Sequence, residues 1–482
     1  HYIITALGCK VNQYEAQAIE TLLHAHGFTP AADGEPVDLI VVNTCAVTAE
    51  GGRKSRQMIR KLREEHPQAL CAVCGCWSQL SPEDAASIGA DVVHGSGSKQ
   101  AFVDDILRAL REHTPITCVD NPFQRFDFEP LPAGAAYGRT RAMLKIQDGC
   151  NNFCTYCVIP YTRGRIRSLP LDEMAHQAAH LAAEGYRELV LTGIEIASYG
   201  RDLPGELTLA DAVETVAAAA PQMRLRLGSL EPTVITEDFC RRAAATGRVC
   251  RHFHLSLQSG CDRTLARMNR KYSTAEFLVC VERLRRYFPG CALTADMITG
   301  FPGETEADQA AAVEFLEQVG FAAVHVFPYS RRPGTKADAM PEQLSHAVKS
   351  ARAHEAQRAA DACKQRYLAQ QVVIGIWRAD EDRCDIMTQR GLAEGRGLFN
   401  WHIGNQHRID ADFFALGIKL INAFVKHQIG IHQQANGNGR VFLANQCQHF
   451  KTLCRSHTCR KGAQSGVLNR RAIRQWVGEG DT

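Results

Sequence analysis

The chain has 482 residues, with 45% hydrophobic and 22% charged positions and a formal net charge of +3 at pH 7. This composition is typical of a globular protein with two or three domains, and the lack of any apolar run of about 18 residues predicts that no segment spans a membrane. The first nine residues lack a basic region before a long apolar run, so we predict no secretory signal. The 19 cysteines, an odd number, therefore favour reduced thiols or metal ligands over disulfides. Because the net charge is too small to indicate nucleic-acid binding, only local basic patches bear on that question.

Residues 1–115 alternate strand and helix signals. An apolar run opens the chain, a second covers Leu39–Val42, and helical stretches are predicted at Glu15–His26 and Gly52–Glu65. Strands that alternate with helices predict a Rossmann-like α/β domain built on a parallel sheet.

Each of the first three predicted strands is followed by cysteine. Cys9 and Cys45 come directly after the first two strands, and Cys71, Cys74 and Cys76 lie in the third strand and its exit. Because the carboxyl ends of parallel strands converge at one edge of a sheet, we expect one thiol from each strand end to meet there. Buried core thiols are the alternative interpretation.

Residues 116–138 carry several prolines with little periodicity, which predicts a linker. Residues 139–365 then repeat a strand–helix pattern. The predicted strands are Met143–Ile146, Glu188–Thr192, Met223–Gly228, His252–Leu257, Ala292–Ile298 and Ala322–Phe327. The predicted helices are Leu171–Glu184, Thr208–Ala220, Ala275–Phe288 and Glu304–Val319. Six such units in so short a segment indicate an incomplete (β/α)6 barrel, whose chemistry is expected at the carboxyl ends of its strands.

A dense cysteine group follows the first barrel strand. Cys150, Cys154 and Cys157 form a C-x3-C-x2-C pattern with no fourth Cys or His nearby to complete a zinc site. Three thiolates on one loop suit three irons of a [4Fe–4S] cluster and leave the fourth iron open for a small molecule. Three core cysteines are the alternative.

The segment from residue 366 to residue 482 is basic and shows no sustained helix or strand period. A short strand is predicted at Val372–Trp377, and the rest of the segment stays without an assigned fold.

Several motifs are similar to those of one family, the radical S-adenosylmethionine (SAM) methylthiotransferases, in the branch that acts on N6-threonylcarbamoyladenosine in tRNA. Besides the Cys150 loop, the motifs are Gly8–Glu15, Asn43–Thr48, Gly75–Gln79, Ser229–Pro232, His254–Gly260, Gly300–Thr305 and Phe327–Ser330. The residues Lys10–Glu15 resemble that branch more than its sister enzymes. The family normally ends in a small β-barrel RNA-binding domain, which residues 366–482 do not resemble.

The resemblance implies an enzyme, a transferase, with SAM and two [4Fe–4S] clusters. It implies that Cys150, Cys154 and Cys157 hold the cluster that cleaves SAM and that Cys76 joins Cys9 and Cys45 as the third ligand of the second cluster. The product would carry a methylthio group at C2 of the modified adenosine, at position 37 in the tRNA anticodon loop. The alternatives are the same chemistry on isopentenyladenosine in tRNA or on a ribosomal-protein aspartate. An iron–sulfur electron-transfer or regulatory protein is a further alternative.

The resemblance also implies partners and a location. A reductant such as flavodoxin or ferredoxin, a donor of sulfur and the tRNA anticodon loop are expected, without a membrane, in the cytoplasm. Contacts with SAM are expected at the ends of the second, third and fourth barrel strands, from Gly193, Glu195, Ser229, Glu231, His254 and Gln258. The alternatives are a plain strand-to-helix turn at Gly193 and Glu195, a solvated side chain at Glu231 and a satisfied core histidine at His254.

Three basic patches are candidates for contact with RNA phosphates. They comprise Arg53, Lys54, Arg56, Arg60, Lys61 and Arg63 after the Cys45 loop, Arg163, Arg165 and Arg167 after the Cys150 loop, and Arg263, Arg267, Arg270 and Lys271. Solvated helix faces are the alternative.

Overall fold

The computed structural model describes residues 1–132 and 141–389 and, beyond Gln371, the backbone alone. Residues 1–371 form one compact unit, and a second unit begins at Val372. Among the described helices, none has a stretch that is both long and apolar enough to cross a bilayer.

The N-terminal part is a five-stranded parallel sheet whose strands lie side by side in chain order. The strands are β1 (Tyr2–Ala6), β2 (Leu39–Thr44), β3 (Leu70–Gly75), β4 (Val92–His94) and β5 (Ile116–Cys118). The helices between them are α1 (Lys10–Ala25), α2 (Ala49–Glu65), α3 (Cys76–Leu80), α4 (Pro82–Ser87) and α5 (Lys99–Glu112). The Thr48 side chain caps α2 by accepting from the Gly51 N–H, and Ser98 caps α5 by accepting from Ala101, which fixes where both helices begin.

Side chains alternate across this sheet into two apolar layers. Ile40, Val42 and Val73 pack on one face, and Leu39 and Val41 pack on the other. A sheet covered on both faces by helices is the expected setting for parallel strands, and it leaves the strand ends as the open edge.

The following part is an incomplete barrel with six strand positions, one of which is shared by two short strands, Arg224–Leu227 and Ser229–Leu230. Its parallel strands are β6 (Ala142–Asp148), β8 (Glu188–Gly193), β9 (Arg224–Leu227), β10 (Ser229–Leu230), β11 (His252–Gln258), β12 (Ala292–Thr299) and β13 (Ala323–Pro328), and a short antiparallel strand, β7 (Arg167–Ser168), pairs with β6. Only Gly228 separates β9 from β10, and a parallel bridge joins Leu225 to Val249 before β11. The two four-stranded sheets therefore continue one another as an incomplete barrel.

Helices connect the strands of this wall or follow the last of them. They are α6 (Ile159–Arg163), α7 (Leu171–Ala183), α8 (Leu209–Ala219), α9 (Glu237–Ala245), α10 (Asp262–Arg267), α11 (Thr274–Tyr287), α12 (Glu306–Val319) and α13 (His346–Gln389). Capping boxes start α8, α11 and α12, and the largest apolar cluster of the described chain lies between these helices and the strands.

The structure confirms the predicted fold class, with each barrel strand within two residues of its predicted bounds. Two predictions need correction. The segment predicted as a linker, 116–138, contributes β5 to the sheet at its start, and its residues 133–140 lie outside the described residues. The strand predicted at Val372–Trp377 is wrong, because α13 runs through it. The division at residues 138 and 365 stays a prediction.

The error at Val372–Trp377 has a physical reason. The residues before it are rich in Ala, Gln, Lys and Arg, which favour helix, and Ser345 caps the helix start by accepting from the Val348 N–H. Once a helix is nucleated, adding residues to it costs little, so the β-branched stretch is carried along as helix. Most of residues 366–482 lies outside the described residues.

Candidate functional site

Three cysteines lie at the carboxyl ends of the first three strands of the N-terminal sheet. Cys9 is the N-cap residue of α1, Cys45 follows β2 directly, and Cys76 is the first residue of α3 after β3. Gly8 has a φ of +92°, and a Cβ on it would lie 2.5 Å from Sγ of Cys45. Only glycine lets the first loop pass this close over the second, so the pattern Gly8-Cys9 is a steric requirement of the thiol cluster.

Two asparagines tie the loops of this cluster together. Asn12 donates from Nδ2 to the carbonyl oxygens of Leu7, at 2.8 Å, and Thr44, at 2.9 Å. Asn43 donates in turn to the carbonyl of Asn12, at 3.1 Å. These bonds hold the ends of β1 and β2 in register, so that Cys9 and Cys45 stay on the same edge.

Burial changes the acidity of these thiols. It raises the pKa of Cys45 to about 11, and it raises the pKa of Cys9 against the opposing charge of Arg163. Cys71 and Cys74 also lie in β3, but both are fully buried in the two apolar layers of the sheet. Cys76 alone of the three stands at the strand end.

The second set of cysteines lies in the loop between β6 and α6. The backbone N–H groups of Asn152 and Ile159 point at Sγ of Cys150 and Cys157, each at 3.5 Å. Arg270 donates from Nη1 to Sγ of Cys154, at 3.1 Å. Burial raises the pKa of Cys157 to about 12, while these donors favour a thiolate once a metal replaces the proton.

The spacing of the thiols bears on what they hold. Adjacent ligand sulfurs on one tetrahedral zinc ion lie about 3.8 Å apart. Among the described residues, three potential ligand atoms lie within 4.8 Å of one another only in His94, Asp105 and Cys118, so neither cysteine set has the close spacing of a single-ion site. A multi-iron cluster, whose thiol ligands each bind a different iron, does not require that close spacing.

A polar cluster adjoins the Cys150 loop at the ends of β8 and β10. Asn152 donates from Nδ2 to Glu231, at 2.7 Å, and to Glu195, at 3.4 Å, and Arg270 pairs with Glu231, at 3.5 Å. Burial, with the like charge of Glu231 added, raises the pKa of Glu195 to about 8. The structure thus brings the predicted residues Glu195 and Glu231 together beside the cysteine loop, where they are suited to bind a cationic group.

Two further predicted contacts have structural roles of their own. A Cβ on Gly193 would lie 2.8 Å from the carbonyl oxygen of Gln147, so this glycine permits close approach of β8 to β6. His254 bonds through Nδ1 to Thr294, at 2.9 Å, and through Nε2 to Asp296, at 3.2 Å, both on β12. The histidine is therefore satisfied by its own sheet.

The remaining two predicted contacts lie at strand ends. Ser229 is exposed on β10, opposite His254 in the sheet register. Gln258 ends β11 with a φ of +62°, after the register shift that follows Leu255. In the part of the chain that the structure describes, none of these four residues forms a hydrogen bond with Asn152 or Glu231, so their contact with a cofactor stays a prediction.

The structure corrects the basic patches at three residues, one of which, Arg167, is buried and donates to the carbonyl oxygens of Arg163 and Arg165. Arg163 is fully buried and donates from Nε to Sγ of Cys76, at 3.3 Å, and the side chain of Arg270 is only 5% exposed beside Cys154. None of these three guanidinium groups faces solvent, so the prediction that they contact RNA phosphates is wrong. The missed signal was Glu15, an acid on the buried face of α1 that requires a partner.

Other members of the patches remain at the surface. The exposed cations that pair with no buried side chain among the described residues are Arg53, Lys54, Arg60, Lys61, Arg165 and Lys271. Arg53 and Lys54 pair with Glu50 on the same helix, whereas Arg56 stacks over Trp77, with its Cζ 5.8 Å from the ring centroid.

Comparison with known proteins agrees with this geometry. Residues 144–316 match the radical SAM superfamily, and residues 1–95 match the uncharacterized protein family UPF0004. The fold is similar to a radical S-adenosylmethionine methyltransferase, TsrM, from Kitasatospora setae, with a TM-score of 0.50, 18% identity and coverage of 67% of this chain and 74% of that one. At that identity the likeness concerns the fold alone.

Curated relatives are closer in sequence. The threonylcarbamoyladenosine tRNA methylthiotransferase MtaB of Bacillus subtilis is 38% identical over 365 residues, which cover 76% of this chain and 81% of that protein. The tRNA-2-methylthio-N(6)-dimethylallyladenosine synthase of Syntrophomonas wolfei is 38% identical over 349 residues, covering 71% and 78%.

A parallel barrel with a three-cysteine loop after its first strand defines an enzyme of the radical SAM class. With these relatives, the chain belongs to the radical SAM methylthiotransferase family, whose members are transferases.

Proposed function

We propose that this enzyme adds a methylthio group to C2 of N6-threonylcarbamoyladenosine at position 37 in the tRNA anticodon loop. The observation that carries the proposal is the presence of two separate sets of three thiols, each at strand carboxyl ends. Methylthiolation needs one site that cleaves SAM and another that carries sulfur, and two sets supply both. The substrate is supported by the relatives named MtaB and by the motif Lys10–Glu15.

The Cys150 loop fits a [4Fe–4S] cluster with one open iron. Its three thiols are spaced too widely for a single ion, two accept from backbone N–H groups and the third from Arg270. A cluster bound there supplies the electron that cleaves SAM reductively. Glu231 and Glu195, oriented by Asn152, would bind the cationic amino end of SAM, because a bound cation favours the charged form of Glu195, whose pKa burial and Glu231 raise to about 8.

We propose a second [4Fe–4S] cluster on Cys9, Cys45 and Cys76. The close passage of Gly8 over Cys45 and the bond from Arg163 to Cys76 hold these thiols on one edge of the sheet. A donor of sulfur and a reductant of the flavodoxin or ferredoxin class would serve the two clusters.

Exposed cations lie on elements that follow both thiol sets in the chain. Arg60 and Lys61 lie on α2, which follows the Cys45 loop, while Arg165 and Lys271 adjoin the Cys150 loop and α10. Such cations neutralise RNA phosphates, and an anticodon loop presents unpaired bases that can be turned into a pocket.

The experiment is mass spectrometry of tRNA nucleosides from cells with and without the gene. We expect 2-methylthio-N6-threonylcarbamoyladenosine to disappear when the gene is deleted and to return with the wild-type chain. Restoration by a Cys154→Ala variant would contradict the proposal, as would an unchanged nucleoside profile.

A second candidate substrate is N6-dimethylallyladenosine, because the Syntrophomonas wolfei relative is as similar as the MtaB proteins. The same nucleoside profile decides between them, since loss of the 2-methylthio derivative of that nucleoside would identify this substrate. Anaerobic assay of 5′-deoxyadenosine formation separates both from a protein that only transfers electrons, which would leave SAM intact.

A further inference from the structure

Arg163 bonds to one thiol set, and the residue that follows it bonds to the loop of the other. Its guanidinium donates from Nε to Sγ of Cys76, at 3.3 Å, and from Nη2 to Oδ1 of Asn12, at 2.9 Å. The residue after it, Gly164, accepts from the backbone N–H of Cys150, at 3.0 Å. One short segment therefore joins the Cys150 loop to the thiol edge of the N-terminal sheet.

The charges around Arg163 do not balance. Glu15 accepts from both terminal nitrogens of the guanidinium, and Asp148 lies 3.4 Å from Nη1. Three more buried cations pair with these two carboxylates, namely Lys99, Lys145 and Arg167. Four cations against two carboxylates leave a net charge of +2, in side chains that are each at most 8% exposed.

Buried charge of one sign is costly unless an opposite charge lies close by. Arg163 donates to Cys76 as well as to the carboxylates, so the excess positive charge lies beside this thiol. An anionic group on Cys9, Cys45 and Cys76 would supply the missing charge, and three thiolates on a [4Fe–4S] core carry net negative charge.

We propose that Arg163 is a positioning residue that fixes Cys76 and sets the reduction potential of the auxiliary cluster, from within the segment that follows the SAM-cleaving loop. The inference rests on the second cluster of the proposed function. A cation that donates to a ligand sulfur stabilises the reduced form, which carries one more negative charge, and so raises the potential.

The test is a redox titration in which electron paramagnetic resonance measures the reduced cluster at each potential. The full chain is used with Cys150, Cys154 and Cys157 all changed to Ala, so that the signal comes from the auxiliary site. In this background we expect Arg163→Gln to lower the midpoint potential by about 59 mV, a tenfold change in the one-electron equilibrium constant. Arg163→Lys keeps the charge but loses the planar guanidinium, so its midpoint potential should lie between those of the unchanged background and of Arg163→Gln.

Arg125→Gln is the matched control. This arginine is also largely buried and bonds to Ser96, Gln79 and Asp120, without a cysteine among its partners. Its substitution should leave the potential unchanged. An Arg163→Gln chain with full iron content and an unshifted potential would overturn the inference.

Two other outcomes are also informative. Loss of iron from both Arg163 variants, with the chain still folded by circular dichroism, would assign Arg163 a purely structural role and overturn the inference. If the proposed auxiliary cluster does not exist, the background chain holds no iron before Arg163 is changed, which distinguishes failure of the proposed function from failure of this inference.

Discussion

Asn152 donates a hydrogen bond of 2.7 Å from Nδ2 to Oε2 of Glu231, although the two residues lie 79 positions apart. This bond links the cysteine loop after β6 to the end of β10, with Arg270 paired to the same carboxylate. The orientation of Glu231 therefore depends on the conformation of the loop that holds the thiols.

A first prediction concerns Glu231. Replacing it with Gln removes the negative charge beside Asn152 and Arg270, and a hydrogen bond to a charged group contributes about 1.5–3 kcal/mol. We expect the KM for SAM to rise about tenfold or more, measured as 5′-deoxyadenosine formation against SAM concentration. Glu188→Gln is the control, because Glu188 is equally buried but pairs with Arg224 and Arg226 at the amino end of β8. Equal effects of the two substitutions would contradict the assignment.

A second prediction separates Cys76 from Cys74. Cys76 opens α3 at the thiol edge, whereas Cys74 is fully buried in an apolar layer of the sheet. Cys76→Ala should remove about half of the iron bound after anaerobic reconstitution, and Cys74→Ala should keep it all. Chemical iron and sulfide analysis gives the answer. The reverse pattern would show that Cys74 is the ligand.

A third prediction follows from the buried charge network. Burial by itself would raise the pKa of Glu15, but Arg163, Lys99 and Lys145 lower it to about 2. Because the folded pKa lies below the unfolded value of about 4.3, ionised Glu15 stabilises the fold above that pH, and the contribution is lost as pH falls towards 2. Glu15→Gln should thus cost stability at pH 6 and progressively less towards pH 3.

Urea denaturation followed by tryptophan fluorescence measures this difference. Glu50→Gln is the control, since Glu50 pairs with Arg53 on an exposed helix face and should change the midpoint little at any pH. A difference between wild type and Glu15→Gln that stays constant over this range would refute the linkage.

A fourth prediction concerns the barrel core. Leu255 is fully buried at the centre of β11, and Leu255→Ala should lower the free energy of unfolding by about 2–5 kcal/mol. Val279 is 44% exposed on α11, so Val279→Ala should change it by about 0.5 kcal/mol or less. Thermal denaturation of the two variants should show a clear drop in midpoint for the first alone.

Much of the fold could be predicted because its signals are local. Apolar runs and caps place the barrel strands and helices within a few residues, and the position of cysteine after each strand placed Cys9, Cys45 and the Cys150 loop at strand ends. The prediction of a strand at Val372–Trp377 failed because a local β signal cannot show that a helix already extends into it.

The two arginines at the thiols show where sequence reasoning ends. Arg163 and Arg270 occur in basic runs, which favour a solvated surface. Their buried partners are distant in sequence, with Glu15 148 positions from Arg163 and Cys154 116 positions from Arg270. The sequence position of a charged residue does not identify the residue that neutralises it, because only the fold brings the two side chains together.

The position of Arg163 also has a consequence for biosynthesis. The ribosome makes Cys9, Cys45, Cys76 and Glu15 well before the segment that carries Lys145, Asp148, Arg163 and Arg167. Until that segment emerges, Glu15 lacks two of the three cations that neutralise it, Lys145 and Arg163, and Cys76 lacks its donor. The N-terminal thiols therefore reach their final surroundings only after translation has passed into the barrel. We expect metal to bind at this edge after that point and not during synthesis of the first hundred residues.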